Sequence, residues 1–121
     1  IRSRSLPAFN HGRVHGPQVE IASNGNAGWI YGEALGTGWL TENRNDDLAR
    51  GAFRNGAWNH FRILAQGNRI QTWVNDIPVA DYQGDAESFK EGFIGLQVHG
   101  IARDQGPYEV RWRNLYLREL K

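Results

Sequence analysis

The sequence predicts an all-β protein, an antiparallel sandwich of about seven or eight short strands, and three observations predict it. The first is composition. Among 121 residues there are 15 Gly, 5 Trp, 4 Tyr and 5 Phe but no Met and no Cys, a mix that favours strands and tight turns over helices. The second is periodicity: apolar and polar residues alternate with period two in one segment after another, and helical spacing is hard to find. The third is a pair of Asn-bearing dipeptides, Gly67-Asn68 and Asn75-Asp76, which separate three alternating segments as two-residue hairpin loops do.

Ile1 already stands inside a strand pattern. With no Met in the chain, this start reads as that of a processed product or a fragment. In Pro17–Ile21, Val19 and Ile21 face one way and Gln18 and Glu20 the other. Asn24-Gly25-Asn26 reads as a turn, and Trp29-Ile30-Tyr31 resumes an extended run. From Thr37 to Gly56 the pattern dissolves into a polar loop broken by Gly36, Gly38, Gly51 and Gly56. Trp58–Gln66, Arg69–Val74 and Ile77–Tyr82 form a three-stranded meander. Asp85–Glu91 is a polar connection, Phe93–His99 a further strand, and Val110–Leu117 an aromatic and aliphatic strand that closes the chain. The length supports a single domain over residues 1–121 with one core.

Charge and motifs exclude several function classes. Lys and Arg number 14 against 13 Asp and Glu, a net charge of +1 without a polybasic block, so the concentrated field of a nucleic-acid binder is missing. The absence of Cys removes thiolate nucleophiles and cysteine-ligated zinc. The longest apolar stretches are far short of the ~20 residues of a membrane-spanning helix. No Gly-rich phosphate loop, Gly-x-Ser-x-Gly elbow or His-Glu-x-x-His motif occurs.

The remaining candidates come from alternation. It puts Gln18 and Glu20 on the non-core face of one strand and Gln97 and His99 on that of another. Hydrogen-bonding side chains beside Trp and Tyr suit a sugar site, with an aromatic platform under polar groups. A polar strand face is also what plain solvent exposure produces, and both readings stand at this point. His11 and His15 are four apart, but they sit in a Gly-rich loop with no third ligand nearby, so no metal site is read from them. His60, mid-strand between Asn59 and Phe61, reads as a structural hydrogen-bonding residue. Arg2, Arg4 and Arg13 could clamp an anion, although surface arginines are common.

Several segments in collinear order carry a resemblance: Ser3–Pro7, Gly12–Ile21, Gly28–Glu33, Trp58–Arg62, Gly92–Gly100 and Val110–Leu115. Together they resemble the 3-keto-disaccharide hydrolase domain family, long called a domain of unknown function. The chain carries Gln18 then Glu20 where many members carry Glu then Gln. The resemblance implies a concanavalin A-like jelly roll whose concave face holds carbohydrate. It also implies that this chain corresponds to roughly the C-terminal two thirds of the domain. Strands that complete both sheets would then come from elsewhere, and open edges predict a homo-oligomer or a partner chain. Family habit suggests an extracytoplasmic bacterial protein, periplasmic or secreted.

The implied substrate is a glycoside already oxidised to a ketone at C3, cleaved by C2 proton abstraction, C1 elimination and hydration. This scheme needs a base, donors for an enolate oxygen and a proton for the leaving group, and no organic cofactor. Glu20 is the expected base, with His99 as alternative base or leaving-group acid. Gln18 and Gln97 would orient hydroxyls, Arg13 or His15 would stabilise the enolate, and Tyr31 or Trp39 would stack on the ring. The competing class is a non-catalytic carbohydrate-binding or assembly module, because jelly rolls host both. A structural subunit whose open sheet accepts a partner strand is a third reading.

Overall fold

The computed structural model describes residues 2–5, 14–41, 46–85 and 91–121. Its strands are β1 (Arg2–Ser5), β2 (Gly16–Val19), β3 (Ile30–Glu33), β4 (Gly38–Trp39), β5 (Phe61–Gln66), β6 (Arg69–Val74), β7 (Ile77–Gln83) and β8 (Phe93–Gly95), with one short helix, α1 (Asp47–Arg50). They form two antiparallel sheets: a five-stranded sheet in the order β4-β3-β2-β1-β8 and a three-stranded sheet β5-β6-β7. The all-β sandwich expected from composition and alternation is the fold observed.

The three-stranded sheet is the meander expected from Trp58 to Tyr82. Gln66 pairs with Arg69 and Val74 with Ile77, so both connections are two-residue loops. Asn75 (φ 50°) and Asp76 (φ 66°) hold the consecutive positive φ angles that such a loop needs to follow the strand twist. The first strand begins at Phe61 rather than Trp58, because the preceding residues are held in an amide network. Asn59 donates to the carbonyls of Arg54 (2.8 Å) and Ala57 (2.9 Å). Asn75 donates to Ala52 O (2.7 Å) and to Asn59 Oδ1 (2.8 Å). The backbone of His60 exchanges hydrogen bonds with Asn75, whereas its imidazole is exposed, 3.7 Å from Asp76. The structural hydrogen bonding expected of His60 therefore passes through its backbone and through Asn59.

Between the layers lies the apolar core. Val19, Trp29 and Ile30 come from the five-stranded sheet and its flank, Ile70, Val74, Val79 and Ala80 from the meander, and Ala49 and Ala52 from around α1. Gly28 is a point where the layers approach closely. It donates to Glu20 O (2.9 Å) while Glu20 N donates to Trp29 O (2.9 Å), so Gly28 and Trp29 together face one residue of the neighbouring strand, a bulge with Gly at φ 85°. A Cβ at this position would stand 2.8 Å from Val74 Cγ2 and 3.0 Å from Val79 Cγ1. Thr72 Oγ1, fully buried, donates to Gly28 O (2.6 Å) and accepts from Ala80 N (3.1 Å), which ties the sheets together through one hydroxyl.

Two stretches differ from the expectation. The polar run from Thr37 to Gly56 contains β4 and α1. Asp46 caps that helix by accepting from Ala49 N (3.1 Å), with Asp47 in its first turn and Arg50 in its last, and one turn is too short to show a 3.6-residue period. The strand expected over Phe93–His99 ends at Gly95, and Val110–Leu117 forms no strand. An alternating segment becomes a strand only when an edge accepts its N–H and C=O groups, and among the described residues nothing pairs with these two segments. Val98, Tyr108, Leu115, Tyr116 and Leu117 are correspondingly exposed, although Arg113 lies over the Trp58 ring at 4.0 Å.

Candidate functional site

Cross-strand register decides which side chains share a face, because neighbours directly opposite point to the same side of a sheet. In the five-stranded sheet Trp39 pairs with Tyr31, Tyr31 with Gln18, Gln18 with Arg2, and Arg2 with Gly95. Val19 and Ile30 face the core, so the row through Tyr31, Gln18 and Gly95 lies on the outer face, while Trp39, on the edge strand β4, also packs against the core. Contacts along the row agree: the Tyr31 and Trp39 rings meet edge to face with centroids 5.3 Å apart. Gln18 Nε2 donates to Glu20 Oε1, a bond between residues two apart on an extended strand, and that spacing puts both on one side.

The register extends to the neighbouring rows. β2 and β8 are both antiparallel to β1 and hence parallel to each other, with Gln18 level with Gly95. Glu20, two residues beyond Gln18, is thus in line with Gln97, two residues beyond Gly95, with the β1 edge between them. In the other direction Glu33 pairs with Gly16. A cleft of ≈ 440 Å³ opens on this outer face, and among the described residues Val14, Glu33, Phe93, Gly95, Leu96, Gln97 and Val98 line it. The cleft lies within the size range of small-molecule sites, roughly 300–1,000 Å³.

The expected site residues separate into three groups. Gln18, Glu20, Tyr31 and Trp39 come together on one face, and Gln97 lines the adjoining cleft. Gln18 is 8% exposed, and among the described residues its Oε1 meets no donor. Glu20 is half-buried and does not line the cleft. His99 lies four residues past the end of β8 and is exposed, with Nδ1 2.5 Å from the carbonyl oxygen of Gly100. His15 is buried (8% exposed) just before β2, at the alternate parity to Gln18, and is not in the cleft lining. Arg13 and His11 lie outside the described residues.

Glu33 is the residue that reading by segment missed. It brings the cleft a carboxylate, and its signal was present: it stands two residues from Tyr31, at the same alternation parity, in the quoted segment Gly28–Glu33. Among the described residues no group of three or more His, Asp or Glu side chains is placed to hold a metal ion. No helix among them is long and apolar enough to cross a membrane.

Comparison with known proteins points in one direction. The family model described as 3-keto-alpha-glucoside-1,2-lyase-like domain matches residues 1–118, and a match of that extent supports a carbohydrate-related function. No curated protein matches the chain.

Proposed function

The chain belongs to the 3-keto-alpha-glucoside-1,2-lyase-like domain family, and from that premise we propose that the outer face of its five-stranded sheet cleaves a 3-keto-glycoside by elimination and hydration. The ketone at C3 acidifies the C2 proton, so a carboxylate serves as the base, and Glu20 takes that role. As the proton moves to Glu20, the C2–H electron pair passes into an enolate whose charge rests on the C3 oxygen. The enolate collapses to a C1–C2 double bond as the C1–O bond breaks, and the departing oxygen takes a proton. Water then adds hydroxyl at C1 and a proton at C2, which leaves the free 3-keto-sugar.

The remaining roles are assigned as the elimination requires. Gln18 holds one oxygen of Glu20, and the second oxygen receives the proton. Gln18 and Gln97 bind ring hydroxyls, while Tyr31 and Trp39 offer apolar ring surface. His99 protonates the leaving group or substitutes as base, and Arg13 donates to the enolate oxygen, while His15, at the alternate parity to Gln18, takes no part. The observation that supports this reading most is the Gln18–Glu20 hydrogen bond on the face shared with Tyr31 and Trp39. The test is turnover of a 3-keto-disaccharide beside its unoxidised counterpart: Glu20→Gln should abolish release of the leaving sugar with the fold intact, and retained turnover would remove Glu20 from the role.

A binding module without turnover is the second reading, favoured by the cleft lining, which includes Glu33 but not Glu20. Binding of the 3-keto-disaccharide by the wild-type protein with no product would establish it. Under either reading, the outer edge of β8, unpaired among the described residues, and the exposed apolar residues from Ile94 to Leu117 support association through that face, with a second copy of the chain as the partner.

A further inference from the structure

We infer that Asn55 is a self-modification site: the main-chain nitrogen of Gly56 attacks the Asn55 side-chain amide, ammonia leaves, and water opens the resulting ring. The bond from Gly56 N to Asn55 Cγ forms as the Cγ–Nδ2 bond breaks. The Gly56 N–H proton passes to solvent, and the departing nitrogen takes up a proton to leave as ammonia. Water attacking the side-chain carbonyl of the ring gives aspartate, and attack on the main-chain carbonyl gives isoaspartate. Water is the only co-reactant.

Two conditions govern this reaction. The next residue must be glycine, because a β-carbon hinders the approach of its nitrogen, and the amide must be free to reach that nitrogen. Asn-Gly occurs twice, at Asn24-Gly25 and Asn55-Gly56. At the first, Asn24 Oδ1 accepts from Asn26 N (3.2 Å) and Gly25 O accepts from Trp29 Nε1 (3.1 Å). The Arg50 guanidinium also covers Gly25, 3.1 Å from where a Cβ would stand. At the second, both residues are exposed and nothing lies within 4 Å of a Cβ built on Gly56. Among the described residues neither the Asn55 side chain nor the Gly56 N–H has a hydrogen-bond partner. Asn55 alone of the pair is unrestrained.

The surroundings give the modification a consequence. Gly56, at φ 73°, takes the third position of a turn in which Ala57 N donates to Arg54 O (3.4 Å). Both ends of that turn are pinned to one amide. Asn59 Oδ1 accepts from Arg54 N (2.8 Å), and Asn59 Nδ2 donates to Arg54 O (2.8 Å) and Ala57 O (2.9 Å). Isoaspartate adds one carbon to the main chain inside that span, so Asn59 no longer holds both ends. Asn75, which donates to Asn59 Oδ1 and to Ala52 O, is loosened with it. Aspartate adds a charge but no length, and leaves the network in place.

The test is incubation of the purified protein at neutral pH and physiological temperature, followed by tryptic mass spectrometry and labelling with a methyltransferase specific for isoaspartate. Trypsin releases Asn55–Arg62 as one peptide. The expected result is loss of the amide at Asn55, with isoaspartate labelled there, while Asn24 keeps its amide over the same period. In the isoaspartate fraction, separated by ion exchange, hydrogen exchange of the Arg54 N–H should quicken by about threefold to tenfold, the factor for one lost hydrogen bond. Asn55→Ser after the same incubation, and fresh Asn55→Asp, should both exchange as the fresh wild type does. An Asn55 that keeps its amide, an Asn24 that loses its own as fast, or an isoaspartate fraction with unchanged Arg54 exchange would each overturn the inference.

Discussion

Gly28 and Thr72 carry the contact between the layers, and both show how little room the core leaves. A methyl group at Gly28 would meet Val74 and Val79 at 3.0 Å or less while the backbone holds a φ of 85°. Gly28→Ala should therefore cost about 2–4 kcal/mol, combining left-handed strain with overpacking. Urea unfolding measures this, and a loss below about 1 kcal/mol would mean that the layers are not packed as described. Thr72→Val keeps the volume but leaves the Gly28 carbonyl and the Ala80 N–H without their buried partner. A loss of about 1–3 kcal/mol is expected, with Thr72→Ser recovering most of it. At this scale much of the site was legible, since alternation alone put Gln18 and Glu20 together. Glu33 shares the parity of Tyr31, but only the pairing of β3 with β2, a long-range register, puts it beside the cleft.

The elements divide by how local their pairing is. The meander β5-β6-β7 was legible almost in full, because each strand pairs with its sequence neighbour and each loop declares itself by Asn or Gly. The five-stranded sheet was legible as separate strands but not as a sheet, since β1 sits between β2 and the distant β8. Phe93–His99 and Val110–Leu117 alternate as strands should, yet alternation reports a preference for a half-buried surface and says nothing of whether an edge is available. The outer face of the meander also carries a pH dependence. Arg69 binds Asp81 in two-pronged fashion (2.7 and 2.5 Å), and the hydrogen bond from Arg69 holds the Asp81 carboxyl below its ordinary value of 3.8. A carboxyl lowered on folding stabilises the fold above its unfolded pKa and loses that contribution as pH falls through the lowered folded value. Asp81→Asn should thus lower the urea midpoint slightly at pH 6 and hardly at all at pH 2, and an equal effect at both would contradict the pairing. The effect is small because both groups are about half exposed.

At the scale of the whole molecule, the sandwich has one well-sealed side and one open side. The core between the sheets is closed by Trp29, Ile30, Ile70 and Val74, while β8 and the residues that follow leave Ile94, Val98, Leu115 and Leu117 in solvent. A face of that kind drives association, and light scattering should report a dimer or larger species that Ile94→Lys with Val98→Lys returns toward the monomer. A monodisperse wild-type monomer would contradict it. The same layer carries the row from Trp39 to Gly95 and the cleft beside it, so the candidate site and the exposed edge strand β8 belong to one sheet. Elimination through the C2 proton on this sheet leaves an isotopic trace, which proton NMR of the product formed from a 3-keto-glucoside in D2O reads. Elimination followed by hydration predicts deuterium at C2 of the released 3-keto-sugar, formed by the wild type and lost with Glu20→Gln. A product that keeps its original C2 proton, as direct displacement at C1 would leave it, would contradict the account.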